Sequence, residues 1–241
     1  MKYLSAIILT AITVSLQSQS FEGTLTYIVD LEVSPQLIEM GIDKETLLNK
    51  MKAENSWSDT IRTTYKGGNY YTSYGETCLI YLSNTNKLYC MKLSGEGSDV
   101  CIVTDASGTE YLTFGEMLEI EKLDTQVVIN DVNCNIVRIK WKQAGTYYYY
   151  YNSSMFSVNP SLFEKHICDG LAQFLEISKA LPIQTVREIT GMMKVTMTLI
   201  SSKTENVDDN LFTIPRLVKD KKLNTMKILG KEIMKIKKNK K

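Results

Sequence analysis

Apolar and polar side chains alternate with a period of two in one short run after another, each bounded by turn formers, and this pattern confines the chain to a largely antiparallel β architecture. In the first run Gly23, Leu25, Tyr27, Val29, Leu31 and Val33 occupy one phase, and Thr24, Thr26, Asp30 and Glu32 fall between them. Near the other end Met193, Val195, Met197 and Leu199 alternate with Lys194, Thr196 and Thr198. Between lie Asp59 to Lys66 and Tyr70 to Tyr74 around Gly67-Gly68-Asn69, then Thr77 to Leu82, Lys87 to Leu93 and Asp99 to Thr104. The last three are joined through Ser83-Asn84-Thr85-Asn86 and Ser94-Gly95-Glu96-Gly97, residues that accept positive φ or bond their own backbone. Thr125 to Ile129 and Asn133 to Lys142 flank Asn130-Asp131, with Val137, Ile139 and Trp141 facing inward. Tyr147 to Tyr151 has high β propensity, and alternation lets at most three of its five rings enter one core. Ile183 to Thr190 and a short strand at Leu211 to Ile214 complete the pattern, while Glu110 to Leu123 fits neither period.

Helical signals are fewer. Ser34-Pro35 reads as an N-cap with proline in the first turn, and Asp43 caps a second piece carrying Leu47, Leu48 and Met51, so a helical insert is expected over Pro35 to Ala53. Asp169 is expected to cap a helix bearing Leu171, Phe174, Leu175 and Ser178, ended by Pro182. The fold class expected is mainly β (α+β): a curved antiparallel sheet or half-barrel of about ten strands with two or three covering helices.

Residues 1–20 read as a signal peptide. Lys2 supplies a positive start, and Tyr3 to Leu16 is an apolar stretch of roughly 14 residues, short of the ~20 that span a bilayer. Ser18-Gln19-Ser20 offers cleavage after Ser18 or Ser20, and no cysteine follows to carry a lipid anchor. Residues 21–215 form a single antiparallel domain in this reading, and 216–241 a basic tail, with export to the periplasm or outer-membrane periphery. From Lys219 onward ten lysines face only Asp220 and Glu232, a net +8 in a chain of net +1, so the remainder carries about −7. On a helix Met226, Leu229 and Ile233 would share a face among those lysines, a pattern suited to an anionic membrane surface; export argues against nucleic acid.

The search for chemistry is short. The five cysteines are odd in number, and Cys90 can face Cys78 or Cys101 depending on turn length, so a disulfide of Cys90 with one of them is expected. His166 is the single histidine, expected as an exposed loop residue; its one reactive possibility is activation of Cys168 two residues on. Asp208-Asp209 reads as a turn. No phosphate loop, dinucleotide fingerprint or calcium loop is present, so no catalytic, metal or cofactor-binding residue is assigned and no enzymatic activity is expected.

Several segments carry a resemblance: Phe21-Glu22-Gly23-Thr24-Leu25-Thr26-Tyr27, Asn133-Cys134-Asn135, Tyr149-Tyr150-Tyr151-Asn152 leading to Val158-Asn159-Pro160, Lys179-Ala180-Leu181-Pro182-Ile183, Met192 to Thr198, and Asp209-Asn210-Leu211-Phe212-Thr213-Ile214-Pro215. In this order they resemble a bacterial envelope family similar in fold to the LolA/LolB lipoprotein carriers. The resemblance implies a half-barrel with an apolar concave face partly closed by helices. The chain departs from the carriers in its basic tail and in having no arginine where they place theirs. The expected function is a periplasmic, non-catalytic binding module for an apolar or amphipathic ligand, with Tyr27, Tyr149, Met193 and Met197 lining the concavity. The alternative is a structural or interaction protein that docks on an envelope partner through a sheet edge and the tail.

Overall fold

The computed structural model describes residues 20–54, 56–92, 100–107, 115–220 and 225–228; the signal-peptide reading falls almost wholly outside these. The period-two runs become strands: β1 (Gly23–Val33), β2 (Thr60–Lys66), β3 (Asn69–Tyr74), β4 (Thr77–Leu82), β5 (Lys87–Lys92), β6 (Val100–Asp105), β7 (Met117–Ile129), β8 (Val132–Trp141), β9 (Gly145–Tyr151), β10 (Gln184–Ile189) and β11 (Met193–Thr204). Of the segment that fits no period, residues 110–114 lie outside the described residues and the part from Met117 belongs to β7, whose pairing with β8 shifts register between Met117 and Glu119 and between Leu123 and Val127. The first shift, by one residue, moves side chains to the opposite face and breaks the alternation. Asn130 and Asp131 both take positive φ, closing the β7–β8 hairpin as their types foretell.

The helical insert forms as two pieces, α1 (Pro35–Glu39) and α2 (Lys44–Ala53), with Ser34 and Asp43 accepting from the Leu37 and Thr46 amides. Neither buries a residue, so neither contributes to the core. The third, α3 (Leu171–Ser178), buries Phe174, Leu175 and Ser178. Its cap differs from expectation: Gly170 precedes it without a side-chain bond, and Asp169, at φ 59, turns its carboxylate to Arg187 instead.

All strand pairs are antiparallel, in the order β12-β13-β6-β5-β4-β3-β2-β1-β11-β10-β9-β8-β7, where β12 (Leu217–Asp220) and β13 (Thr225–Ile228) are C-terminal. The chain starts in the middle, meanders outward through β6, crosses to the far edge and meanders back to pair β11 with β1. That crossing forces curvature. A flat sheet would separate β6 from β7 by ten strand spacings, about 48 Å, whereas the twelve Cα steps from Asp105 to Met117 reach at most about 43 Å. The sheet therefore curls, and one face becomes the inside of an open half-barrel.

The inside is packed by the chain's own β9–β10 connection. Phe163 lies against Tyr81, His166 against Tyr70 and Tyr81, and Phe174 stacks on Tyr149 at 4.5 Å between ring centroids, so one segment bridges both wings of the sheet. Gly170, at φ 70, suits the close approach of this connection to β8: a Cβ there would stand 2.5 Å from Ile139 Cδ1. On the outer side a second core forms where Val207 and Phe212 cross β4–β6 and pack on Cys78, Ile80, Met91 and Cys101. Two expectations fall here. Leu211 to Ile214 is no strand but joins a 3-10 turn at Asp209–Phe212, capped by Asp208, which places Phe212 in this outer core. The tail is not helical where it is described, since Leu217–Asp220 and Thr225–Ile228 extend the sheet beyond β6 and raise its strands to thirteen.

Candidate functional site

The inner face is best read as rows running across the strands. One row holds Val137, Tyr149, Thr185, Met197 and Val29, and the next Ile139, Tyr147, Arg187, Val195 and Leu31. All four residues expected to line the concavity project to this face. Thr185 pairs with both Tyr149 and Met197, Tyr27 lies one row toward the packed end, and Met193 two rows the other way. The two pairs differ in what they can offer a ligand. Tyr27 and Tyr149 are buried and already engaged, donating from their hydroxyls to Pro182 O and Asp169 O of the connection. Burial pushes both phenols well above their ordinary pKa, so they remain donors. Met193, Val195 and Met197 are half-buried, as is Ile61 across the row of Tyr27, so this part of the apolar face keeps surface to offer.

Beside them sits a polar cluster. Arg187 donates from Nη2 to Asp169 Oδ2 at 2.6 Å and lies 5.2 Å over the Tyr147 ring. Burial works against its charge, but Asp169 and, with smaller contributions, Tyr149, Tyr147 and Cys168 together outweigh it and hold the guanidinium above its ordinary pKa. Arg187 Nε and Thr185 Oγ1 are buried without hydrogen-bond partners. Sequence reading passed over both, although the signal existed: Thr185 and Arg187 share the phase of Ile183 and Ile189, so polar groups stand at inward positions of an apolar strand.

His166 is not an exposed loop residue. At 2 % exposure its ring is wedged between Tyr70 and Tyr81, because two amides after it, those of Ile167 and Cys168, bond Ala106 O and pull the loop into the sheet. Its Nε2 meets the Tyr70 hydroxyl at 2.8 Å and its Nδ1 has no partner. Burial lowers its pKa to about 4. A ring that is neutral at pH 7 supplies no charge to hold Cys168 as a thiolate, which removes the reason for pairing them.

The disulfide expected at Cys90 does not form: none of the five cysteines is bridged to another. Leu82 pairs with Lys87 across a four-residue turn, so Cys90 opposes Leu79, and on its other side Ile102. One step of register puts Cys90 on the inner face, while Cys78 and Cys101 flank Met91 on the outer. Cys78 and Cys101 are two strands apart, about 9.6 Å, beyond the ~7 Å limit for a bridge. Among the described residues no cluster of three or more His, Cys, Asp or Glu is placed to hold a metal ion.

A recess of about 530 Å³, lined by Phe21, Glu22, Phe156, Thr204 and Glu205 among others, opens at the packed end. Its carboxylates are already engaged, Glu22 by the Val207 amide and Lys66, and Glu205 by Thr24 and Lys203. It offers less chemistry than the inner face.

No family model matches the chain and no curated protein resembles it in sequence. Among solved structures, PNGF-II in two crystal forms is similar with a TM-score of 0.42 in each, at 12% and 11% identity. The match covers 79% and 80% of this chain but only 29% and 30% of PNGF-II, so the chain spans less than a third of that protein. A LolA superfamily protein, NE2245 from Nitrosomonas europaea, is similar at 8% identity with a TM-score of 0.33, over 81% of this chain and 91% of that one. Likenesses this distant carry nothing about ligand or activity. The chain is mostly β, built on an open antiparallel sheet, with a LolA superfamily protein among its structural neighbours.

Proposed function

We propose that this chain is a non-catalytic binding module, exported to the periplasm or outer-membrane periphery, that holds an apolar or amphipathic ligand against the inner face of its sheet. The observation that carries this reading is the unequal filling of that face. Where the β9–β10 connection lies on it the face is fully buried, whereas Met193, Val195 and Met197 on β11 and Ile61 on β2 stay half-buried. Methionine thioethers adapt to a flexible chain, and a small number of polar groups beside them fix orientation. Native mass spectrometry of protein taken from its own envelope tests this. The expected spectrum carries one amphiphile per chain, lost on Met197→Glu; a spectrum of bare chains only would count against the module.

A second reading has its own observation. Among the described residues β7 is one of the sheet's two edge strands, β12 being the other, and Leu118 and Val128 on it are 59% and 66% exposed. Such an edge is a template for strand addition by an envelope partner, and the lysines after Pro215 would assist at an anionic membrane. Bare chains held in a fixed ratio to one envelope protein would favour this reading, and equal liposome sedimentation with and without the residues after Pro215 would remove the tail from it.

A further inference from the structure

Thr185 and Arg187 stand two residues apart on β10 and both point to the inner face beside the half-buried Val195 and Met197. Thr185 is 5 % exposed, and its hydroxyl has no partner; Arg187, 31 % exposed, keeps one buried N–H, at Nε, without an acceptor. Leaving such groups unmet forfeits the hydrogen bonds they make with water in the unfolded chain. Two unused buried donors thus stand two residues apart on one strand, with the half-buried Met197 and Val195 paired beside them on β11.

What would meet them is an oxygen acceptor, and the charge of the site decides which kind. Asp169 already balances Arg187. His166 is neutral at pH 7, and the Tyr70 and Tyr149 phenols stay protonated because burial pushes them up. Among the described residues the site therefore sums to zero. A free carboxylate or phosphate would make it −1 in half-buried surroundings, where an unbalanced charge is expensive. A neutral head with a carbonyl oxygen for Arg187 Nε and a second oxygen for Thr185 Oγ1 leaves the balance untouched.

We propose that Thr185 and Arg187 are the head-group seat of the inner-face site and that its ligand is a neutral acyl ester rather than a free fatty acid, its acyl chain lying on Val195, Met197 and Met193. This rests on the amphiphile reading above, and its test separates the two. Displacement of the uncharged dye 1-N-phenylnaphthylamine from the full mature chain is followed at pH 8 with monolaurin and with laurate. Monolaurin is expected to bind about tenfold more tightly than laurate, the size of one desolvated hydrogen bond or charge penalty. Thr185→Val, which removes the hydroxyl without changing shape, is expected to weaken monolaurin about fivefold to tenfold, with the dye's own affinity measured on the same variant as the reference. Asp169→Asn gives the site a net positive charge and is expected to turn the preference toward laurate. Laurate binding as well as monolaurin to the unaltered chain, or monolaurin binding unchanged by Thr185→Val, would overturn the seat while leaving the amphiphile reading in place. Failure of the dye and both lipids to bind would remove both. Thr185 sits in a site that already tolerates an unmet hydroxyl, so its valine variant folds and decides the matter even where Asp169→Asn does not.

Discussion

The two wings of the sheet are built alike on the inside and differently on the outside. On the β4–β6 wing the chain returns across the outer face, and Cys78, Ile80, Met91 and Cys101 are buried beneath Val207 and Phe212. Strand β4, Thr-Cys-Leu-Ile-Tyr-Leu, is accordingly apolar at nearly every position. On the β7–β11 wing no described segment crosses, and the outer face answers to water. Its charges pair across strands: Glu119 with Arg138 and Lys140, Glu121 with Arg138, and Lys194 with Glu32. Tyr148 and Tyr150 lie half-buried among them while Tyr147, Tyr149 and Tyr151 enter the core. The lesson is that a strand's composition records what covers each face, and the same backbone ladder accepts either answer.

The contrast is open to experiment. The largest effect is expected at Phe212→Ala, which should cost about 3–5 kcal/mol in urea unfolding because it empties a buried ring site, against less than ~1 kcal/mol for Tyr148→Ala on the open wing. Equal losses would erase the distinction between the wings. Next is the inner packing, read through His166. The unfolded imidazole takes its proton near 6.5 and the folded one near 4, so between those values the unfolded state binds more protons. The stability tied to this neutral ring is complete above pH 6.5 and declines by about 3 kcal/mol as pH falls to 4. His166→Phe should flatten that part of the pH profile; an unaltered profile would mean the ring is not sealed in. Arg138→Met is expected to change stability by no more than about 1 kcal/mol, and by less in high salt, since its partners are partly exposed. The smallest effect concerns the thiols: adding reductant should not move the unfolding midpoint, and the unfolded chain should titrate as five thiols without it. A lower count would restore a bridge.

Much of the fold was legible because its signals are local. The caps at Ser34 and Asp43 and the turn at Asn130-Asp131 act within a few residues of themselves. The inward phase of Val137, Ile139 and Trp141 likewise follows from alternation alone. The site was half legible. Its face was readable from Tyr27, Tyr149, Met193 and Met197, but not that the tyrosines would be engaged by Pro182 and Asp169, residues from a connection far along the chain. Arg187 and Thr185 went unnoticed because a polar residue in an inward phase looks like an interruption until its neighbours across the sheet are known.

The sequence by itself determined where strands begin and end, which face of most of them turns inward, and that the sheet is antiparallel, since these follow from side-chain periodicity and turn chemistry. Only the tertiary structure decided how that face is filled. A single residue of register set Cys90 apart from Cys78 and Cys101. The amides of Ile167 and Cys168 on Ala106 O drew His166 inside. The pairing of Asp169 with Arg187 made a neutral site of a charged one. Each depends on contacts between segments distant in the chain, and their energies are too close to be resolved by the local preferences of either segment.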